Sequence, residues 1–306
     1  MPHLTPLDRR ALGRTLTRLA SAGVGDSLDA DLQFAESDDG LQTCRIGFTG
    51  APGAGKSTLI SRLARHRING NGERVAILSI DPSSPLSGGA ILGDRIRMDA
   101  VANEPDLFIR SLSSRSSSDG LADNLPDLIA ATESYGFGEV LIETVGVGQA
   151  EHAVRQLVDT LVMVVQPQAG DAIQAMKAGI LELADLYVVN KSDLPGAANT
   201  LAELRSVLDL RPGSTGWSPP IVQVSANDPR GLEELDAALR HHRGWLRAHG
   251  DHAAIRARRQ RYHVQSLLIR RVGELLDDDP QLLSSDNLRA VYLAVAEAVG
   301  KDAGRL

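Results

Sequence analysis

Residues 43–64 constrain the fold more than any other stretch. An apolar run with Cys44, Ile46 and Phe48 leads into Gly50-Ala51-Pro52-Gly53-Ala54-Gly55-Lys56-Ser57-Thr58. Leu59, Ile60, Leu63 and Ala64 then recur at helical spacing. The string fits G-x-x-x-x-G-K-[ST] between a strand and a helix, the setting of a phosphate-binding loop. Polyphosphate is an acceptor-rich anion, and the N–H groups of a tight loop and of a helix N-terminus are aimed at it. Gly50, Gly53 and Gly55 permit backbone conformations and approach distances that a Cβ blocks. Lys56 supplies a point charge for the β- and γ-phosphates, and Ser57 supplies a hydroxyl ligand for Mg²⁺. Ala51, Pro52, Ala54 and Thr58 belong to the same nucleotide-binding stretch.

From Thr43 to about Gly244 short β-rich runs alternate with helical patterns. Strands are expected at 43–49, 74–80, 106–110, 138–143, 159–165, 185–190 and 220–224. The alternation predicts an α/β fold with a mostly parallel sheet flanked by helices. Ligands in such sheets bind outside the carboxyl ends of the strands. Two helical stretches precede the core, one with Leu7, Leu12, Leu16 and Leu19, the other with Leu28, Leu32 and Phe34, with Asp26 or Ser27 as its N-cap. After Gly244 a long helix is expected over 252–276, broken at Asp277-Asp278-Asp279-Pro280. A last helix follows with Leu288, Val291, Val295 and Ala298 inward. The expected division is a helical extension at 1–40, a nucleotide-binding domain at 41–245 and a helical arm at 246–306. Such an arm must cover its apolar stripe against the core or another subunit. Ser111 to Asp119 reads as a mobile serine-rich loop.

Composition narrows the partners. The chain has 306 residues, a net charge of −7 and 3% aromatics. An acidic chain poor in stacking residues points away from nucleic acid and from anionic membranes. Its one cysteine, Cys44, allows no intrachain disulfide and fits a reducing compartment. No apolar run reaches the ~18 residues of a membrane span, and the first twenty residues have no signal-peptide core. A soluble cytoplasmic protein is expected. Arg256, Arg258, Arg259 and Arg261 read as a solvated helix face or a rim for an acidic partner.

Further motifs fall at expected strand ends. Asn190-Lys191-Ser192-Asp193 closes Leu186–Val189 and matches N-K-x-D. A carboxylate at Asp193 accepts from guanine N1–H and the exocyclic amine, a donor pair that adenine lacks. Asn190 supports the base edge, and the Lys191 stem covers its face. Ser225-Ala226 closes the next strand and resembles a loop contacting the guanine oxygen. Glu143-Thr144-Val145-Gly146 follows Val140-Leu141-Ile142. There the acid holds Mg²⁺, directly or through water, and the Gly146 N–H meets the γ-phosphate. Asp81 ends another strand, and Asp94 follows a Pro- and Gly-rich segment. Both are placed to reach the metal region.

In this order the motifs resemble one family: Gly50–Ser57; Asp81–Pro85 with Gly88-Gly89 and Gly93 to Met98; Ile142-Glu143-Thr144-Val145-Gly146-Val147-Gly148-Gln149; Gly170-Asp171 with Lys177; and Asn190–Asp193. They resemble the MeaB/ArgK-type GTPases of the metallochaperone branch. The resemblance covers about residues 40–245 and rests most on E-T-V-G-V-G-Q. It implies a P-loop NTPase fold of the SIMIBI type with helical ends that build a homodimer. It implies a Mg²⁺-dependent GTPase that gates adenosylcobalamin delivery to an acyl-CoA mutase, such as methylmalonyl-CoA mutase, and protects or reactivates it. Asp81, Asp94 and Glu143 become the acidic set around Mg²⁺, with Asp81 and Asp94 in a first switch and residues 144–152 in a second. Gln166–Lys177 form a third, with Lys177 as its functional lysine. Asp119 stands where the family has a glycine, and Ala172-Ile173 where an acidic–apolar pair is commoner. These departures bear on the partner rather than the nucleotide.

Val147 occupies the position where Ras-like proteins place a water-orienting glutamine, so slow intrinsic hydrolysis accelerated by a partner is expected. Three alternatives stay open: a nickel metallochaperone GTPase, a kinase of a periplasmic amino-acid transport system, and a switch that binds GTP without hydrolysing it. The first needs a cluster of His or Cys ligands, and the chain has eight histidines, mostly scattered.

Overall fold

The computed structural model describes residues 7–29, 43–82, 104–114, 120–122, 124–144, 150–167, 182–209 and 216–303. Seven strands make one sheet: β1 (Cys44–Thr49), β2 (Val75–Pro82), β3 (Leu107–Ser114), β4 (Glu139–Glu143), β5 (Thr160–Val165), β6 (Leu186–Asn190) and β7 (Ile221–Val224). The order is β3-β2-β4-β1-β5-β6-β7, and every pairing is parallel. The chain leaves central β1 for one side of the sheet and later returns to the other. The loop after β1 therefore opens at a topological switch point, where ligands bind.

Helices cover both faces: α1 (Arg9–Ala20), α2 (Val24–Asp29), α3 (Lys56–Asn71), α4 (Leu125–Ser134), α5 (Ala150–Leu157), α6 (Ala197–Asp209) and α7 (Pro229–His249). Strand periodicity sorts the core between them. Ile46, Phe48, Val75, Ile77 and Leu141 pack on the α3 and α7 side. Ala76, Leu78, Ile80, Val140 and Ile142 pack on the α1, α4 and α5 side. All six residues of β1 are buried, as both-face coverage of a parallel sheet requires. Cys44 is among them, and burial pushes its thiol far above its usual range.

The expected strands are all present, each starting one residue later than read. β2 and β3 run longer, to Pro82 and Ser114. Ser111 to Ser114 is therefore strand rather than loop, because its backbone pairs with Ser79 to Pro82 and Leu112 is buried. The rest of that serine-rich stretch, 115–119, lies outside the described residues.

The helical ends depart from the reading in three ways. The second N-terminal helix starts at Val24, before the expected caps, because the Val24 N–H donates to Glu274 Oε1 at 2.9 Å. Its Leu28 is 53% exposed, and Leu32 and Phe34 lie outside the described residues. The C-terminal helices α8 (His252–Asp278) and α9 (Leu288–Ala303) form as expected, with Asp251 capping α8 through the Ala254 N–H. Yet Leu288, read as inward, is exposed, as are Val264, Leu268, Ile269, Tyr292 and Leu293.

The arginine stripe of α8 is also not simply solvated. Arg259 is buried and pairs with Asp159 at 2.5 Å. Arg258 donates to the Val158 carbonyl at 2.9 Å. Burial, reinforced by Arg155 and Arg259, brings the Arg258 pKa down to about 10. These side chains fasten α8 to the segment entering β5. His263 on Asp127 at 2.8 Å continues the seam to α4. No described helix is long and apolar enough to cross a membrane.

Candidate nucleotide site

The loop between β1 and α3 is shaped by its glycines. Gly50, Gly53 and Gly55 all have positive φ, at 140°, 84° and 87°. Two of them are also closed to any side chain. A Cβ on Gly50 would sit 2.0 Å from the Val164 carbonyl oxygen, and one on Gly55 would sit 2.5 Å from Asn190 Nδ2. The Gly50 obstruction is strand backbone and cannot step aside. Gly50→Ala should therefore destabilise the fold by about 3 kcal/mol or more, read by urea unfolding. A loss below 1 kcal/mol would show that the loop relaxes freely. Past the loop, Gly55 accepts the first helical bond of α3 from Leu59 N–H, and the N-terminal amides of α3 stay open toward the loop.

Lys56 and Ser57 follow. Lys56 is 7% exposed, and its Nζ donates to the carbonyls of Gly50 and Ala51 at 2.7 and 3.2 Å. Ser57 donates to Glu143 Oε1 at 2.6 Å across the gap from α3 to β4. Ser79 donates to the other oxygen of the same carboxylate at 3.2 Å. Register explains the meeting: Ser79 pairs with Glu143, and alternation keeps Asp81 on the face of Ser79, the face that α3 covers. Asp81 is 2% exposed. Ser57, Asp81 and Glu143 thus gather at one strand edge. Among the described residues no three carboxylate, imidazole or thiol groups converge as a metal cage. A hydroxyl and two carboxylates are instead the sparse oxygen set of Mg²⁺, which keeps waters and phosphate oxygens in its shell. The residues fit that ion.

The segment that closes β6 is locked to the loop after β1. Asn190, at the end of β6, donates to the Ala54 carbonyl at 2.7 Å. Lys191 donates to the Gly53 carbonyl at 2.8 Å and to Gln166 Oε1 at 2.7 Å. Lys191 has φ 54°, the left-handed turn that swings Asp193 away from the strand. Ser192 N–H bonds the Val224 carbonyl. Asn227 Nδ2 donates to Asp193 Oδ2 at 3.3 Å. Ser225 is buried and its hydroxyl accepts from Asn227 and Asp228 N–H, shaping the turn that carries Ala226. The two sequence-distant motifs therefore form one rigid rim at the carboxyl edge of β1, β6 and β7.

A family model described as methylmalonyl Co-A mutase-associated GTPase MeaB matches residues 16–280. The chain belongs to the MeaB family. A putative GTPase of Pyrococcus abyssi is 43% identical over 208 residues, 67% of this chain and 64% of that protein. A probable GTPase of Mycobacterium tuberculosis is 40% identical over 258 residues, 83% of this chain and 76% of the other. The mouse protein called methylmalonic aciduria type A homolog, mitochondrial, is 36% identical over 244 residues, 78% of this chain and 59% of the other. The matched part thus spans under two thirds of the archaeal and mouse proteins. A crystal structure described as an LAO/AO transport system kinase superposes with a TM-score of 0.60 at 25% identity, covering 97% of this chain and all of that one.

Of the MeaB-type site residues read from the sequence, Asp94, Gly146 and Lys177 lie outside the described residues, as do Val147 and Gln149. The others gather at the strand edge. Two groups went unread. Ser79 was legible as the residue two before Asp81. Glu151, the second residue of α5, is 1% exposed in the first turn of that helix. Burial raises its pKa above the ordinary 4.5, against the pull of its helix amide, the Thr49 hydroxyl, His152 and Lys56.

A raised carboxyl pKa means that the folded state binds the proton more tightly than the unfolded one. Its stabilising effect is full below about 4.5 and is lost as pH rises toward the folded value. Glu151→Gln should therefore be more stable than wild type above that range, with a flatter pH–stability profile. Urea unfolding from pH 4 to 8 tests this. A constant offset between the two proteins across that range would exclude it.

Proposed function

We propose that this chain binds GTP with Mg²⁺ and hydrolyses it to GDP and phosphate, slowly alone and faster against a partner. Lys56 and the α3 amides hold the β- and γ-phosphates. Ser57, Asp81 and Glu143, joined by Asp94, hold the metal, which neutralises phosphate charge when bound. Asp193 reads guanine, with Asn190, Lys191, Ser225 and Ala226 shaping its pocket. The observation that carries this reading is the lock between the two loops, Asn190 on Ala54 and Lys191 on Gly53. It supports the reading by tying the segment proposed to recognise the base to the loop proposed to hold the phosphates.

The reading extends to a G-protein chaperone. The nucleotide state, read through Gly146 and the segment ending in Lys177, gates adenosylcobalamin delivery to an acyl-CoA mutase and protects or reactivates that enzyme. The family description and the name of the mouse relative support this partner. The exposed apolar residues of α8 and α9 support a homodimer. A cytoplasmic setting follows from the same reading.

The test is turnover of GTP with and without methylmalonyl-CoA mutase, and co-purification of the two in GDP and in a non-hydrolysable GTP analogue. Partner-stimulated phosphate release and nucleotide-dependent association are expected. Fast turnover indifferent to the mutase would reject the chaperone role. Transfer of the γ-phosphate to protein would favour the kinase reading that the name of the structural neighbour suggests.

A further inference from the structure

The first helix carries a feature that nucleotide binding does not use. Along α1, Arg10, Arg14 and Arg18 recur at every fourth position and are all exposed. At 1.5 Å per residue they form a row ~12 Å long with a pitch of ~6 Å. Each is i+4 from the next and repels it, a mild cost with no compensating acid in the helix. None of the three makes an ion pair or a side-chain hydrogen bond among the described residues. That is notable in a chain of net charge −7.

The row forms one wall of a groove of about 570 Å³ that Arg110 of β3 and Thr17 also line. Arg110 donates to the Thr17 hydroxyl at 3.1 Å, which fixes its guanidinium beside the row. Gly13 lines the groove between Arg10 and Arg14. A Cβ there would meet nothing within 4 Å, so a larger residue would fit. Glycine nonetheless stands mid-helix, where it costs about 0.5–1 kcal/mol against alanine. The effect is to leave the helix surface free of a side chain between Arg10 and Arg14.

We infer that this groove is a docking site for an acidic helical segment of a partner protein. The pitch decides the class of occupant. Carboxylates at i, i+4 and i+8 of a helix lying along α1 repeat at the same ~6 Å, and each guanidinium fork matches a carboxylate. A small phosphorylated ligand would stay largely in water on this exposed wall, unlike the enclosure that such sites provide. Nucleic acid would need a wider basic footprint than an acidic chain with 3% aromatics offers. The location gives the contact a consequence. Arg110 lies three residues before Ser113, the register partner of Asp81. A partner gripping the groove thus touches the edge strand that braces the metal-side carboxylate.

The test uses the full chain saturated with GDP and Mg²⁺, so that the nucleotide site is filled. The probe is a labelled helical peptide with glutamates at i, i+4 and i+8. Its control has the same composition with the glutamates spread around the helix. The aligned peptide should bind more tightly, with affinity falling as salt rises. Arg10→Gln/Arg14→Gln/Arg18→Gln should weaken it about tenfold or more while GDP affinity stays unchanged. Gly13→Leu should weaken it with every charge retained. Equal binding of both peptides, or an unaffected triple variant, would overturn the inference. So would displacement of the peptide by equimolar pyrophosphate, or tighter arginine-dependent binding of a single-stranded RNA 12-mer.

Discussion

Lys56→Ala should lower GTP turnover on the order of 10²–10³-fold, the scale for removing one preorganised charge aimed at developing negative charge. Nζ is held at 2.7 Å by the Gly50 carbonyl and at 3.2 Å by the Ala51 carbonyl. The charge is therefore in position before the phosphates arrive, and no reorganisation is needed during reaction. Lys56→Arg should not rescue activity. The ammonium occupies a slot 7% exposed, and a planar guanidinium needs more room and a different donor geometry. Thermal unfolding of both variants should fall modestly, because the Gly50 carbonyl that Lys56→Ala leaves unpaired is buried, and turnover is compared at a temperature where each variant is still folded. Turnover of Lys56→Ala within fivefold of wild type would show that the loop amides alone carry the phosphate charge.

The parts of this site that could be read in advance share a property: their chemistry is local. The glycine loop, N-K-x-D and the acid of Glu143 each sit within a few residues and at the end of an apolar run, and the strands fell within a residue of their expected starts. What could not be read is tertiary. Nothing near Val24 announces that Glu274, 250 residues later, supplies its helix start. The stripe Arg256–Arg261 looks solvated until Asp159 and the Val158 carbonyl are brought beneath it. Ser111–Ser114 has the composition of a loop, yet becomes strand because β2 offers a ladder. Leu268, Ile269 and Leu288 follow the apolar period faithfully and are still exposed. Periodicity says that a face must be covered, not by what. The bond from Asn190 to Ala54 spans 136 positions, and neither motif alone implies it.

Asp193→Asn should exchange the preferred base, with GTP disfavoured by roughly 10⁴-fold relative to xanthosine triphosphate, the scale of losing a required hydrogen-bond match. A carboxylate accepts from guanine N1–H and from the amine at C2. An asparagine amide keeps one acceptor and turns the other into a donor. Xanthine bears a carbonyl at C2 and meets that donor, while the guanine amine would face it donor to donor, both left unsatisfied on desolvation. The geometry around Asp193 favours a clean result. Its turn is set by the left-handed Lys191 backbone and by the Ser192–Val224 bond, neither of which involves the carboxylate. The hydrogen bond that the carboxylate accepts from Asn227, at 3.3 Å, is exposed, so stability should change by less than about 0.5 kcal/mol. Competition titrations with GTP, ATP and xanthosine triphosphate provide the measurement. If Asp193→Asn bound GTP as wild type does, the base would be read elsewhere on the rim. If it lost every nucleotide equally, the carboxylate would be acting on the loop rather than on the base.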